Sequence, residues 1–125
     1  MPPPSILSEH TRHGTVILSI QRALKGEGET FLRQRIDDLS RSGHRDILID
    51  MEHVPFVDSS ELGRLIRSHL SVRQAGGRVR LCNLAPRVAA LMKLTKLDTV
   101  LDIYESVDEA LAEILRNRGQ KAGSA

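Results

Sequence analysis

The stretch FVDSSELG, Phe56 to Gly63, sets two hydroxyls, Ser59 and Ser60, between two carboxylates, Asp58 and Glu61. Three chemistries use residues of these types. A serine nucleophile needs a histidine within hydrogen-bond reach and a third group to orient that base. The G-x-S-x-G elbow that would display such a serine is absent, since Val57, Asp58, Ser60 and Glu61 flank Ser59. A helix cap needs Asp or Ser at the first position and favours Glu three residues on, which is the spacing of Asp58 and Glu61. A regulatory phosphate needs an exposed hydroxyl on a helix's first turn, where free N–H groups and the positive helix end meet it. Capping and switching are compatible, because a helix capped by Asp58 displays Ser59 and Ser60. A phosphate there would be opposed by Asp58 and Glu61, so its effect is expected to be greatest at an interface. Burying a dianion costs several kcal/mol, and each ~1.4 kcal/mol is tenfold in affinity.

Other reactive residues are less organised. The histidines His10, His13, His44, His53 and His69 have no partners at a telling spacing, and His10 and His13 read as surface residues. Cys82 is the only cysteine, so neither an internal disulfide nor a four-cysteine zinc site is available, and the chain suits a reducing compartment. In strand-like surroundings Cys82 reads as a small core residue. KGEGE, from Lys25, has neither a dinucleotide fingerprint nor a phosphate-loop lysine. No metal site and no cofactor is expected.

The elements that must position the corner follow from periodicity. A short edge strand is expected within an N-terminal segment, residues 1–12. GTVILSI, Gly14 to Ile20, reads as a buried strand, and QRALKGEGE as a loop. Leu32, Ile36 and Leu39 form a helical stripe from Glu29, ending near Gly43. Asp46 to Met51 is a short strand, and Pro55 keeps EHVPFV from being helix. Leu62, Leu65, Ile66 and Leu70 mark a second helix, closed by Gly76 and Gly77. RVRLCNL is a strand, and Pro86 opens a third helix with Val88, Leu91 and Met92 on one face. VLDIY is a last strand. Ser106 and Glu109 have capping-box spacing before a helix striped by Val107, Ala110, Leu111, Ile114 and Leu115. Residues 118–125 are expected to be a flexible polar tail. The alternation implies an α/β single domain: a small mixed β-sheet flanked by about four helices, with the main domain at 13–117.

Composition excludes several classes. At 125 residues the chain is one domain able to bury a core of its own. Two Phe, one Tyr and no Trp leave few platforms for stacking bases, and Lys and Arg are scattered, so nucleic acid is not an expected partner. The start MPPPSILSEH lacks the pattern of a signal peptide and no apolar run could span a membrane, so a cytosolic location is expected.

The strand DILIDM, the corner VPFVDSSELG, the segment QAGGRVRLCNLAP and the closing LMKLTKLDTVLDIYESVDEAL together resemble the STAS domain of anti-sigma-factor antagonists and of the cytosolic ends of sulphate transporters. The likeness runs from about Thr15 to Leu115. It implies a STAS-like sheet-and-helix fold and a non-enzymatic partner-switching function in bacterial transcription regulation. It implies that Ser59, with Ser60 as second choice, is phosphorylated by an anti-sigma factor that is also a serine kinase of the histidine-kinase-like ATPase type. ATP would then belong to the partner. Asp58 and Glu61 are expected to cap and orient, and Ser60, Glu61, Arg64, Arg67 and Ser68 to offer the partner-binding face of the helix. A homodimer is left open. Two departures stand out: Glu61 replaces the glycine usual in the family, placing a carboxylate beside Ser59, and SIQRALKGEGE lacks the usual G-x-L-D. They favour the alternative, a non-switching scaffold or accessory subunit of a stress-sensing assembly or a lipid-transport complex. An enzyme is the class these residues favour least.

Overall fold

The computed structural model describes residues 7–21 and 27–124. Five strands form one sheet in the order β1-β2-β3-β4-β5: β1 (Leu7–Arg12), β2 (Thr15–Ile20), β3 (Asp46–Asp50), β4 (Arg78–Cys82) and β5 (Asp102–Tyr104). β1 and β2 are antiparallel, with Leu7 opposite Ile20, and the other pairs are parallel. The sheet is therefore mixed, as expected from helical crossovers between strands. The four α-helices are α1 (Glu27–Arg41), α2 (Ser59–Gln74), α3 (Pro86–Leu94) and α4 (Val107–Ser124), with a 3-10 turn at Leu97–Thr99 before β5.

Alternation along the strands divides the core into two unequal layers. Val16, Leu18, Ile20, Ile47, Ile49, Val79 and Leu81 join one buried cluster with Leu32, Ile36 and Leu39 of α1, Leu62, Leu65 and Val72 of α2, and Val88 and Met92 of α3. Ile17, Leu48 and Cys82 face the other way and form a smaller cluster with Ala110, Leu111 and Ile114 of α4, against which Tyr104 and Val107 pack. The three crossover helices thus share one face of the sheet, and α4 returns across the other.

Periodicity located these helices, but it misplaced two leucines. Leu70 is 49% exposed and Leu115 43% exposed. In α2 the inward positions after Leu65 are Ser68, His69 and Val72, all buried. Helical rotation carries position 70 away from the sheet, whatever its hydrophobicity. The first helix begins at Glu27, two residues before the stripe suggested. Part of the QRALKGEGE loop, residues 22–26, and residues 1–6 of the N-terminal segment lie outside the described residues.

The carboxyl-terminal segment also differs from the expected tail, because α4 continues past residue 118 to Ser124. Arg118 lies one turn after Ile114 on the sheet-facing side of α4. Its Nη2 donates to Asp46 Oδ2 at 2.7 Å, and its Nη1 to the carbonyl of His13. Asp46 Oδ1 accepts at 2.9 Å from Arg80, whose side chain is only 3% exposed. Burial pushes the Asp46 carboxyl up, but the hydrogen bonds from Arg118 and Arg80 outweigh it and hold the group below its ordinary range. A charged hub thus clamps α4 to the starts of β3 and β4.

Candidate functional site

The corner follows the C-terminal end of β3. Met51 N–H still donates to the Cys82 carbonyl at 3.0 Å, and Val54 N–H then donates to the Met51 carbonyl at 3.0 Å, turning the chain. Met51, Val54 and Val57 are fully buried, pinning the loop at three points, while Phe56 is 42% exposed. The Arg87 guanidinium, in the first turn of α3, lies 4.9 Å from the Phe56 ring centroid, a cation–π contact that holds the exposed ring.

Asp58 is extended (φ −85, ψ 172) and caps α2. Its Oδ1 accepts from the Glu61 N–H at 2.8 Å, and Glu61 Oε1 accepts in return from the Asp58 N–H at 2.9 Å. This reciprocal capping box satisfies two backbone donors at once. Val57 and Leu62, which flank it, join the same buried cluster and form the apolar staple that sets the entry angle of the chain. Glu61 is 5% exposed. The carboxylate that replaces the usual glycine is therefore folded back into the cap and does not project beside Ser59. Its burial is offset by the hydrogen bond and the positive helix end.

Ser59 and Ser60 occupy the first two helical positions, both exposed, and neither hydroxyl bonds to a described residue. Along α2, Gly63, Arg64 and Arg67 continue the exposed face, with Leu70 beyond them. Ser68 does not belong to it, being 7% exposed among the inward positions. The expected partner-facing group therefore reduces to Ser60, Arg64 and Arg67, with Leu70 and Phe56 as apolar additions that the sequence reading did not include.

Three further polar residues converge at this end of the sheet, where ligand sites of open α/β folds gather. Asp50 accepts from Asn83 Nδ2 at 3.0 Å, from Glu52 N–H at 3.1 Å and from Ser19 Oγ at 3.5 Å. Sequence reasoning missed them, since each looks like an ordinary strand terminus; only Asn83, in the left-handed region at φ 57, follows a common pattern for Asn after a strand. Cys82 is buried, and desolvation, with Asp50 and Glu52 adding to it, pushes its thiol up to about 12, so it is a poor nucleophile. His69 is 2% exposed, a core histidine the sequence did not reveal, whereas His10, His13, His44 and His53 are exposed. Among the described residues no group of three or more His, Cys, Asp or Glu could hold a metal ion, and no helix is long and apolar enough to cross a membrane.

The family model of the STAS domain matches residues 7–110. The chain belongs to the STAS family. Among curated relatives of this STAS domain, the anti-sigma F factor antagonist of Paenibacillus polymyxa is 27% identical over 107 residues, 85% of this chain and 91% of that protein. The anti-sigma-B factor antagonist of Bacillus subtilis is 31% identical over 88 residues, 67% of this chain and 80% of that protein. The crystal structure of the Thermotoga maritima protein TM1081 superposes with a TM-score of 0.79 at 25% identity, covering 86% of this chain and 92% of that one. At 19% identity the unphosphorylated anti-sigma factor antagonist SpoIIAA, a Bacillus protein, shares the fold with a TM-score of 0.72 over 89% of this chain and 96% of its own. The five-stranded mixed sheet with four helices is thus the fold of these STAS neighbours.

Proposed function

We propose that this STAS domain is an anti-sigma-factor antagonist that works by partner switching, with Ser59 as the phosphorylated residue. The observation that carries the reading is the corner itself. Ser59 lies exposed on the first turn of α2, while the carboxylates on either side, Asp58 and Glu61, are engaged in the cap. Curated relatives named as antagonists of anti-sigma F and anti-sigma-B factors support the choice of partner class.

The unmodified domain docks an anti-sigma factor through the exposed face of α2, with Ser60, Arg64 and Arg67 as polar contacts. That partner is also a serine kinase of the histidine-kinase-like ATPase type and brings its own ATP. In the transfer, Ser59 Oγ attacks the γ-phosphorus, the bond to the bridging oxygen breaks, ADP leaves, and a base of the partner takes the hydroxyl proton. The product carries about 1.5 to 2 additional negative charges at the centre of the contact. Because the cap already uses Asp58 and Glu61, the phosphate leaves the helix intact and acts on the interface. Desolvating it there costs several kcal/mol, enough to dissociate a micromolar complex.

Incubation with the cognate kinase and ATP, followed by intact mass measurement, tests this. The expected product gains one phosphate, about 80 Da, and Ser59→Ala gains none while retaining its hold on the partner. Tight binding with no mass gain would leave a scaffold role instead.

A further inference from the structure

A second site lies at the opposite end of the sheet from Ser59. A cleft of about 840 Å³ opens there, lined by Arg45, Arg73, Arg78, Arg80 and Arg118, with Asp46 and Glu113 as its acidic residues and the Gly76–Gly77 backbone at its edge. Its volume falls within the ~300–1,000 Å³ of small-molecule sites. β3 separates it from the corner: five residues at ~3.3 Å each put the two ends about 16 Å apart.

The charges in the cleft are unbalanced in a specific way. Asp46 is already shared by Arg80 and Arg118, and Glu113 accepts from Arg116 at 2.6 Å. Arg78 reaches Asp102 only at 3.5 Å. The guanidinium groups of Arg45 and Arg73 are exposed and have no ion-pair partner among the described residues. Arg80 is 2% exposed, yet its Nε donates to no described acceptor. A buried donor without an acceptor is costly, and here it belongs to a side chain that lines an open cavity. All the cations are arginines, whose planar fork suits two-point recognition of phosphate oxygens.

We propose that this cleft binds a small soluble polyanion carrying two or more phosphate groups, with Arg45 and Arg73 holding one group at the rim and Arg80 Nε donating to another within. The concave form and the buried donor favour a small ligand over a flat anionic surface. The site is independent of the fate of Ser59, and its test uses neither kinase nor ATP.

Calorimetric titration of the full chain with inorganic tripolyphosphate at physiological ionic strength tests the site. Saturable one-to-one binding is expected. Arg45→Gln/Arg73→Gln, which removes two exposed groups outside the Asp46 hub, should weaken it about tenfold or more with an unchanged unfolding midpoint. Arg33→Gln/Arg41→Gln removes the same charge from the exposed face of α1 and should bind like the parent. Arg80→Lys keeps the charge but not the Nε donor, and should also weaken binding. Absence of saturation overturns the proposal, and so does equal weakening in the α1 control, which would assign the attraction to overall charge. Binding to phosphatidylglycerol vesicles with none to tripolyphosphate would overturn it in favour of a membrane surface.

Discussion

Asp46 is the residue whose removal should be felt most. Truncation by Asp46→Ala takes from Arg80, whose side chain is 3% exposed, its only acceptor among the described residues, and one of two from Arg118. Removing one partner of a buried pair typically costs ~3–5 kcal/mol, mostly because the remaining charge is stranded. Asp46 keeps 17% of its side chain exposed, and the cleft admits water, so the low end applies. About 3 kcal/mol, set against an unfolding entropy of ~2.1 cal/mol/K per residue, lowers the Tm by about 11 °C. Far-UV circular dichroism measures it, since the chain has no Trp to report. The companion variant Asp46→Leu/Arg80→Met replaces the pair with apolar groups and should recover most of the loss. The same carboxyl gives the acid limb of stability. Its folded-state pKa lies below its unfolded value of ~3.9. The stabilisation is therefore complete above that unfolded value and is lost as pH falls through the folded one. Asp46→Asn should flatten the limb. A loss under about 1 kcal/mol, or a double variant no better than the single one, would refute the clamp and the desolvation argument with it.

Three further outcomes follow from local geometry. Asp58→Ala removes the acceptor for the Glu61 N–H and should cost about 1 kcal/mol by chemical denaturation, whereas Ser59→Ala should stay within about 0.5 kcal/mol, as expected of an exposed hydroxyl. Gly77→Ala would place a Cβ 2.7 Å from the Arg45 carbonyl, backbone against backbone, and should cost about 1–3 kcal/mol in thermal unfolding; a neutral result would mean that β3 and β4 can separate freely at that end.

Much of this molecule can be read from the chain because its information is local. TVILSI carries an unbroken apolar run from Val16 to Leu18, as a strand covered on both faces does, and those residues are buried on both faces of β2. The residue types at Asp58 and Glu61 predict a capped helix start within a single turn; Asp58 caps α2, and the Glu61 side chain closes a reciprocal box that the sequence reading did not include. The failures are equally physical. Leu70 and Leu115 were assigned to stripes by their side chains, although the turn of the helix places them outward. The burial of Glu61 depends on a backbone that closes around it, so the carboxylate could not be told from a solvated one. Arg80 and Arg118 meet Asp46 across 34 and 72 residues of sequence, a separation at which no spacing rule operates. The arginine cleft, gathered from β3, β4, α2 and α4, has no sequence signature for the same reason.

The two layers of the core are unequal, and the fold is correspondingly uneven in strength. One face of the sheet joins nineteen buried residues in a single cluster, the other only six. α4 covers the thinner layer with three buried residues, Ala110, Leu111 and Ile114, and local opening is cheaper where buried contacts are fewer. Peeling it away leaves the three-helix face and its sheet as a continuous body, with the Ser59 corner untouched. The domain thus resembles a sealed book with a hinged back cover, whose latch is the charge on Asp46. A cover of that kind is free to open locally while the three-helix face, with the Ser59 corner, stays packed.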